Sequence, residues 1–313
     1  MAAAHENAAA VTQAVSGSEA ARLMRLATYA SVATALLLIA AKIIAYVLTD
    51  AVSLLSTLLD SLLDAAASLV NLLAVRQALT PADREHRFGH GKAEPLAALG
   101  QSTFIAGSAL FLLVQAGSRL VAPQPVSNTV VGLAVMAFSI AATLLLVLYQ
   151  RFVIRRTGSL AIRSDALHYA GDLAVNASVI IALILAGVYG WRRADPIFGA
   201  GIALYIVYTA WQIARGALDM LMDRELPDED RRRIRSIALA NPQVRAVHDL
   251  RTRASGPTIF VQMHLEVDGE LTLTQAHAIA DAVEAEVQRT FPGAEIIIHE
   301  DPAGIAETRP AYR

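Results

Sequence analysis

Asp60 and Asp64 stand four residues apart in LLDSLLDAAASLVNLL, a stretch otherwise apolar enough for lipid. The i, i+4 spacing puts both carboxylates on one face of a helix. An aspartate at the bilayer centre costs about 2.5–3.5 kcal/mol on insertion scales, and like charges at this spacing also repel. A cation or protons must neutralise them. A second pair, His168 and Asp172, has the same spacing in SDALHYAGDLAVNAS, with Asp165 three residues before the histidine. If the two segments face each other, Asp60, Asp64, His168 and Asp172 converge as three carboxylates and one imidazole. Zn²⁺ accepts such a four-ligand set, and oxygen-rich ligation also admits Fe²⁺, Cd²⁺ or Mn²⁺. These four are expected to bind a transported ion. In a competing reading each pair packs locally, its acids protonated or bonded to Ser, Asn or Arg. Two matched pairs in two segments count against it. Asn71 and Asn176 read as interhelical hydrogen-bonding residues rather than ligands.

The elements that must carry these residues are membrane helices. The chain has 313 residues, 55% hydrophobic and 17% charged, with a mean hydropathy of +0.46. That balance exceeds an ordinary soluble domain and points to a membrane protein with a soluble portion. Six stretches can span a hydrocarbon core, at about 27–48, 51–78, 95–121, 129–153, 160–188 and 195–221. Pro95 reads as a helix start. Arg22, Arg25, Arg76, Arg84, Arg87, Lys92, Arg151, Arg155, Arg156 and Arg163 gather on one side of the spans. Arg119, Arg192 and Arg193 lie on the other. Both termini are therefore expected in the cytoplasm. The first residues, Ala-rich and polar, read as a disordered tail over 1–22, not a signal peptide.

Beyond a six-span domain over 23–222, the character becomes charged, then that of a small soluble domain over 223–302, with a short tail at 303–313. A helix is expected over 228–240, strands at VRAVHDLRTR, TIFVQMHLEV and EIIIHED, and an amphipathic helix at LTQAHAIADAVEAEVQRTF. In the second strand Ile259, Val261, Met263, Leu265 and Val267 share one face, and Gln262, His264 and Glu266 the other. The αββαβ order implies a small α+β domain with helices layered on a three-stranded sheet.

The net charge of −2 gives no reason to expect a nucleic-acid partner. Cysteine is absent, so any metal must be held by His, Asp or Glu. No Gly-rich phosphate loop, GxSxG elbow, HExxH motif or nucleophile–base constellation is present, so an enzyme is not expected.

The motifs LLDSLLD, PADREHRFGHGKAEPLAAL, SDALHYAGD and HDLRTRASGP, in this order from about residue 25 to 302, resemble the cation diffusion facilitators. The similarity is greatest to their bacterial ferrous-iron/zinc efflux pump branch. The resemblance implies a homodimer of six-span protomers in the cell inner membrane, each with a cytoplasmic, metallochaperone-like domain. It implies proton-coupled export of divalent metal to the periplasm. Its transport quartet falls on Asp60, Asp64, His168 and Asp172, a set that goes with Zn²⁺ and Cd²⁺, with Fe²⁺ also possible. A second site falls on Asp83, His86 and His90 of the loop between spans two and three. Read unaided, DREHRFGH is an acid and two histidines within eight residues, which also suits a solvated loop. A third, binuclear site falls on His248, His264, His277, His299 and Asp301, where Zn²⁺ would be structural or regulatory. Lys92 and Asp223 match a charge pair near the family's dimer interface. The alternative class is a membrane-bound sensor that binds divalent metal without transporting it.

Overall fold

The computed structural model describes residues 17–49, 52–121, 130–189 and 193–305. The chain divides into two compact units, one built on Ala20–Leu218 and one on Asp219–Arg313. The first contains six long helices: α1 (Gly17–Thr49), α2 (Val52–Ala78), α3 (Ala93–Val121), α4 (Val130–Thr157), α5 (Leu160–Tyr189) and α6 (Ala194–Leu221). Among the described residues α1, α3, α4 and α6 are long and apolar enough to cross a membrane. α2 and α5 match them in length but carry the acids and the imidazole. α1 begins at Gly17, so residues 17–22, assigned to the tail on sequence, form its first turns. Glu19, Ala20, Ala21 and Arg22 favour helix and outweigh Gly17 and Ser18 at its start.

Local signals set the register of α5. Gly158 adopts φ +66 after α4, and its N–H donates to the Ile154 carbonyl at 2.8 Å. A left-handed residue at this place ends a helix, and glycine adopts it without a Cβ clash. Ser159 then accepts from the Ile162 N–H through its Oγ at 3.2 Å, satisfying a donor the new helix leaves open. With its start fixed, α5 packs against α2, α3 and α4. That contact presents His168 to α2.

The second unit follows the expected order: α7 (Asp228–Leu239), β1 (Ala246–Ser255), β2 (Thr258–Val267), α8 (Leu273–Thr290) and β3 (Glu295–Pro302). Asp228, Glu229 and Asp230 occupy the first turn of α7, where negative charge complements the helix dipole. A capping box of Thr272 and Gln275 starts α8. The sheet order is β1-β2-β3, with β1–β2 antiparallel and β2–β3 parallel. A parallel pair needs a crossover, and α8 supplies it. Val261, Met263, Leu265 and Val267 pack with Ile234 and Ala238 of α7 and Ile279, Val283 and Val287 of α8. Burying each large side chain contributes about 1.5–3 kcal/mol. The core therefore takes one face of β2 and leaves the face bearing His264 and Glu266 outside it.

Candidate metal centres

In the membrane unit Asp64 of α2 meets His168 and Asp172 of α5. His168 Nε2 lies 2.9 Å from Asp64 Oδ1 and 3.9 Å from Asp172 Oδ2. One donor atom from each of the three lies within 4.8 Å of the other two. The imidazole is buried, with 9% of its side chain exposed, while Asp172 retains 43%. Asp60 lies on α2 one turn before Asp64; its side chain is outside the described residues. A cavity of about 390 Å³ opens on the group, lined also by Lys42, Ser61 and Asn176. Oxygen and nitrogen donors at these separations can share one divalent cation.

Asp165 does not join this group. It is fully buried, one turn before His168. Its carboxylate accepts from Ser31 Oγ at 2.5 Å, Gln150 Nε2 at 2.7 Å and Gln101 Nε2 at 3.1 Å. Those donors sit on α1, α4 and α3, so one side chain links four helices. Tyr169 shares a hydrogen bond of 2.8 Å with Ser68 of α2, fastening the same helix pair beside the site. Asn71 is buried, yet among the described residues neither of its amide atoms has a hydrogen-bond partner. The interhelical bond expected for it is therefore not seen.

The loop group is formed by a turn rather than by helix packing. Asp83 Oδ1 accepts from the backbone N–H of Glu85 at 2.9 Å and of His86 at 2.7 Å. An Asp side chain commonly closes a turn in this way. The His86 N–H, and then that of Glu85, hold its carboxyl below the usual carboxylate range. Gly89, at φ +75, reverses the chain and brings His90 back. His86 Nδ1 is then 3.5 Å from Asp83 Oδ1, and His90 Nε2 is 3.4 Å from Oδ2. Donor atoms of all three lie within 4.8 Å of one another.

In the second unit the strand register aligns three histidines. His248 pairs with His264 across β1–β2, and His264 with His299 across β2–β3. Asp301, two residues after His299, stands on the same face. Its Oδ2 lies 2.8 Å from His264 Nδ1 and 3.3 Å from His248 Nε2, while Oδ1 lies 3.3 Å from His299 Nε2. Asp301 keeps 5% of its side chain exposed. A buried carboxylate facing three imidazoles, together with a buried His248 Nδ1 that makes no hydrogen bond among the described residues, suits a divalent metal such as Zn²⁺. His277, expected in this cluster, is not brought to it. Its ring nitrogens lie 3.7 Å from Asp281 and 3.8 Å from Glu300. Glu300 alternates with His299 and Asp301 along β3 and so points to the other face.

The family model for the cation efflux transmembrane domain matches residues 28–222, and that for the cation efflux protein cytoplasmic domain matches residues 226–303. The chain belongs to the cation diffusion facilitators. As a member of that transporter family it is not an enzyme. This cation diffusion facilitator is 51% identical over 284 residues to a cation-efflux pump FieF of Klebsiella pneumoniae. The match covers 91% of this chain and 94% of the relative. It is 49% identical, with the same coverage, to the FieF pump of Citrobacter koseri. Among solved structures it is similar to a putative zinc transporter CzrB in its Zn form, at 35% identity and TM-score 0.26. That match covers 28% of this chain and 99% of the other. It is also similar to a metal-bound C-terminal domain of the CzcD transporter from Thermotoga maritima. There the identity is 29% and the TM-score 0.24, with 30% of this chain and 98% of the other covered.

Sequence reasoning missed several neighbours of these groups in this cation diffusion facilitator. Glu266 Oε1 lies 3.5 Å from His248 Nε2; its place two residues after His264, on the same strand face, was a readable signal. Asp249 Oδ2 lies 3.7 Å from His248 Nδ1. It sits at φ +46, beside a register shift between His248 and Arg251. Such a bulge re-aims side chains and leaves no plain sequence mark. Ser31, Gln101 and Gln150, the partners of Asp165, lie on three different helices. Only the packing shows that they meet.

Proposed function

We propose that this multi-pass cation-efflux transporter is a proton-coupled antiporter exporting divalent metal from cytoplasm to periplasm across the cell inner membrane. Zn²⁺ is the leading substrate, with Cd²⁺ or Fe²⁺ also carried. Asp60, Asp64, His168 and Asp172 hold the ion at membrane depth. The observation that carries this reading is the meeting of Asp64, His168 and Asp172 on two packed helices, with their donor atoms within 4.8 Å of one another. Metal binding needs the carboxylates ionised and the imidazole neutral, so protons and metal exclude each other at the same atoms. His168, in contact with Asp64 and near Asp172, is where that exclusion is sharpest. Protons arriving from the periplasmic side displace the metal there.

Asp83, His86 and His90 form an exchangeable loop site. His248, His264, His299 and Asp301 hold regulatory metal in the cytoplasmic domain. The two oxygens of Asp301 face different imidazoles, which supports a carboxylate bridging two ions. His277 joins that cluster only by leaving Glu300 and Asp281. The protein works as a homodimer with six spans per protomer and both termini cytoplasmic. Lys92 and Asp223 stabilise the pairing of protomers.

The test is a vesicle assay of the full chain with an imposed pH gradient, across Zn²⁺, Fe²⁺, Cd²⁺ and Mn²⁺. Asp64→Ala is expected to abolish metal-dependent proton flux while the protein remains dimeric. Undiminished transport by that variant overturns the reading. The His248–His264–Asp301 group favours a second reading, a sensor. A sensor would bind metal in the same preparation and move none into vesicles.

A further inference from the structure

α1 carries a single charged side chain in the apolar run from residue 26 to 49, and that side chain is Lys42. Thr49, the last residue of α1, lies seven positions further on, about 10 Å of helix. A lysine so placed could extend its stem and keep its ammonium at the membrane surface. The structure shows otherwise. Lys42 Nζ donates to Ser61 Oγ at 2.6 Å. Ser61 is 1% exposed. It lies directly after Asp60 and three residues before Asp64, on the same face of α2 as Asp64. Lys42, Ser61, Asp64, His168 and Asp172 all line the one cavity of about 390 Å³. An ammonium is thus held inside the chamber where the cation binds.

A fixed positive charge beside a cation site opposes occupancy, so its presence asks for a reason. Three ionised carboxylates, a neutral imidazole and a divalent ion leave one negative charge uncompensated. At membrane depth an uncompensated charge is expensive. One ammonium brings the loaded chamber to neutrality. It also weakens the hold on the ion, and a transporter must release what it binds. We infer that Lys42, docked on Ser61, is a specificity- and affinity-setting residue of the transport site, balancing the charge of the metal-loaded state and keeping metal release fast. This rests on the transport-site reading above. Lys42 touches no metal in this scheme. It acts through the field it imposes on the ligands.

Charge and hydrogen bond can be separated by substitution. Lys42→Gln keeps a donor for Ser61 and removes the charge. Lys42→Arg keeps the charge. Lys42→Met removes both and is compatible with a lipid-spanning helix. Initial rates of Zn²⁺ transport by the full chain in proteoliposomes would give KM and Vmax. Equilibrium Zn²⁺ binding would be measured on the full chain with Asp83, His86, His90, His248, His264, His299 and Asp301 each changed to Ala, which removes the ligands of the other two groups. Lys42→Gln and Lys42→Met are expected to lower KM and Kd roughly tenfold or more, the scale of one unit charge acting on a doubly charged ion across a partly hydrated cavity. Vmax is expected to fall with them, because release becomes slow. Lys42→Arg should restore values near wild type. If Lys42→Gln matches wild type in KM, Kd and Vmax, the inference fails. It also fails if Lys42→Gln and Lys42→Arg are equally impaired with KM unchanged, since the residue would then only brace α1 against α2. Asp64→Ala measured alongside separates the two readings. If Asp64→Ala binds and transports normally, the site itself is misplaced. If it is inactive while Lys42→Gln is unaltered, only the role of Lys42 is lost.

Discussion

At the scale of single residues, the same side-chain type does different work according to its neighbours. Asp64 and Asp165 are both acids on long apolar helices, the first half-buried and the second fully buried. Asp64 faces an imidazole and a second carboxylate across a cavity, a setting that needs a cation. Asp165 faces three neutral donors from three helices, a setting satisfied without one. Asp165→Leu should therefore leave metal selectivity intact and lower thermal stability in detergent, since each stranded buried donor costs about 1–3 kcal/mol. Asp165→Asn should lose less. A shift of metal preference in either variant would show that Asp165 is a ligand after all. His168 makes the opposite prediction. His168→Asp turns the site all-carboxylate, which favours harder cations. Mn²⁺ uptake should rise relative to Zn²⁺ in competition assays, and an unchanged ratio would remove the selective role of the imidazole.

Elements explain how these residues are held. The loop after α2 depends on the Asp83 carboxylate accepting two backbone N–H groups. The His86 N–H is the largest cause of its lowered pKa. A depressed folded pKa means that the turn's stabilisation is complete above the unfolded carboxylate value, near 4, and is lost as pH falls through the folded value. In selectively labelled protein carrying His86→Gln and His90→Gln, which removes the neighbouring imidazoles, the Glu85 amide resonance should thus stay fixed between pH 7 and 5 and move only in stronger acid. Movement in the upper range would mean that the turn is held by something else. In the second unit β2 supplies both the core and the histidine row, on alternate residues. Leu265 is fully buried, so Leu265→Ala should cost about 2–5 kcal/mol. It should raise hydrogen exchange along β2 and weaken Zn²⁺ binding at His264, although the Leu265 side chain lies in the core on the opposite face of the strand. This alternation was legible in TIFVQMHLEV, and so was the αββαβ order. The antiparallel and parallel pairings were not. They follow from α8 acting as a crossover, and they decide that His299 stands beside His264.

For the whole molecule, the regulatory metal proposed for the cytoplasmic domain is expected to stabilise the assembled, active transporter. Chelating metal, or Asp301→Ala, should lower the temperature at which the full-length protein loses its native oligomer. Added Zn²⁺ should raise it for wild type but much less for the variant, because ligand binding to the folded state shifts its stability. Equal zinc responses would place the stabilising metal elsewhere. Composition and spacing by themselves determined that this chain has long apolar helices followed by a soluble α+β unit, and that His168 and Asp172 share a helix face. They also determined which acids a membrane would not tolerate unpaired. These are properties of hydropathy and helical period, which local sequence contains in full. Only the tertiary structure decided that α5 presents His168 to Asp64, that Asp165 is consumed by Ser31, Gln101 and Gln150, that His277 turns away from Asp301, and that Lys42 reaches Ser61. Each depends on which faces of separate elements pack together, and contacts between residues from 15 to 134 positions apart leave no periodic trace in the chain.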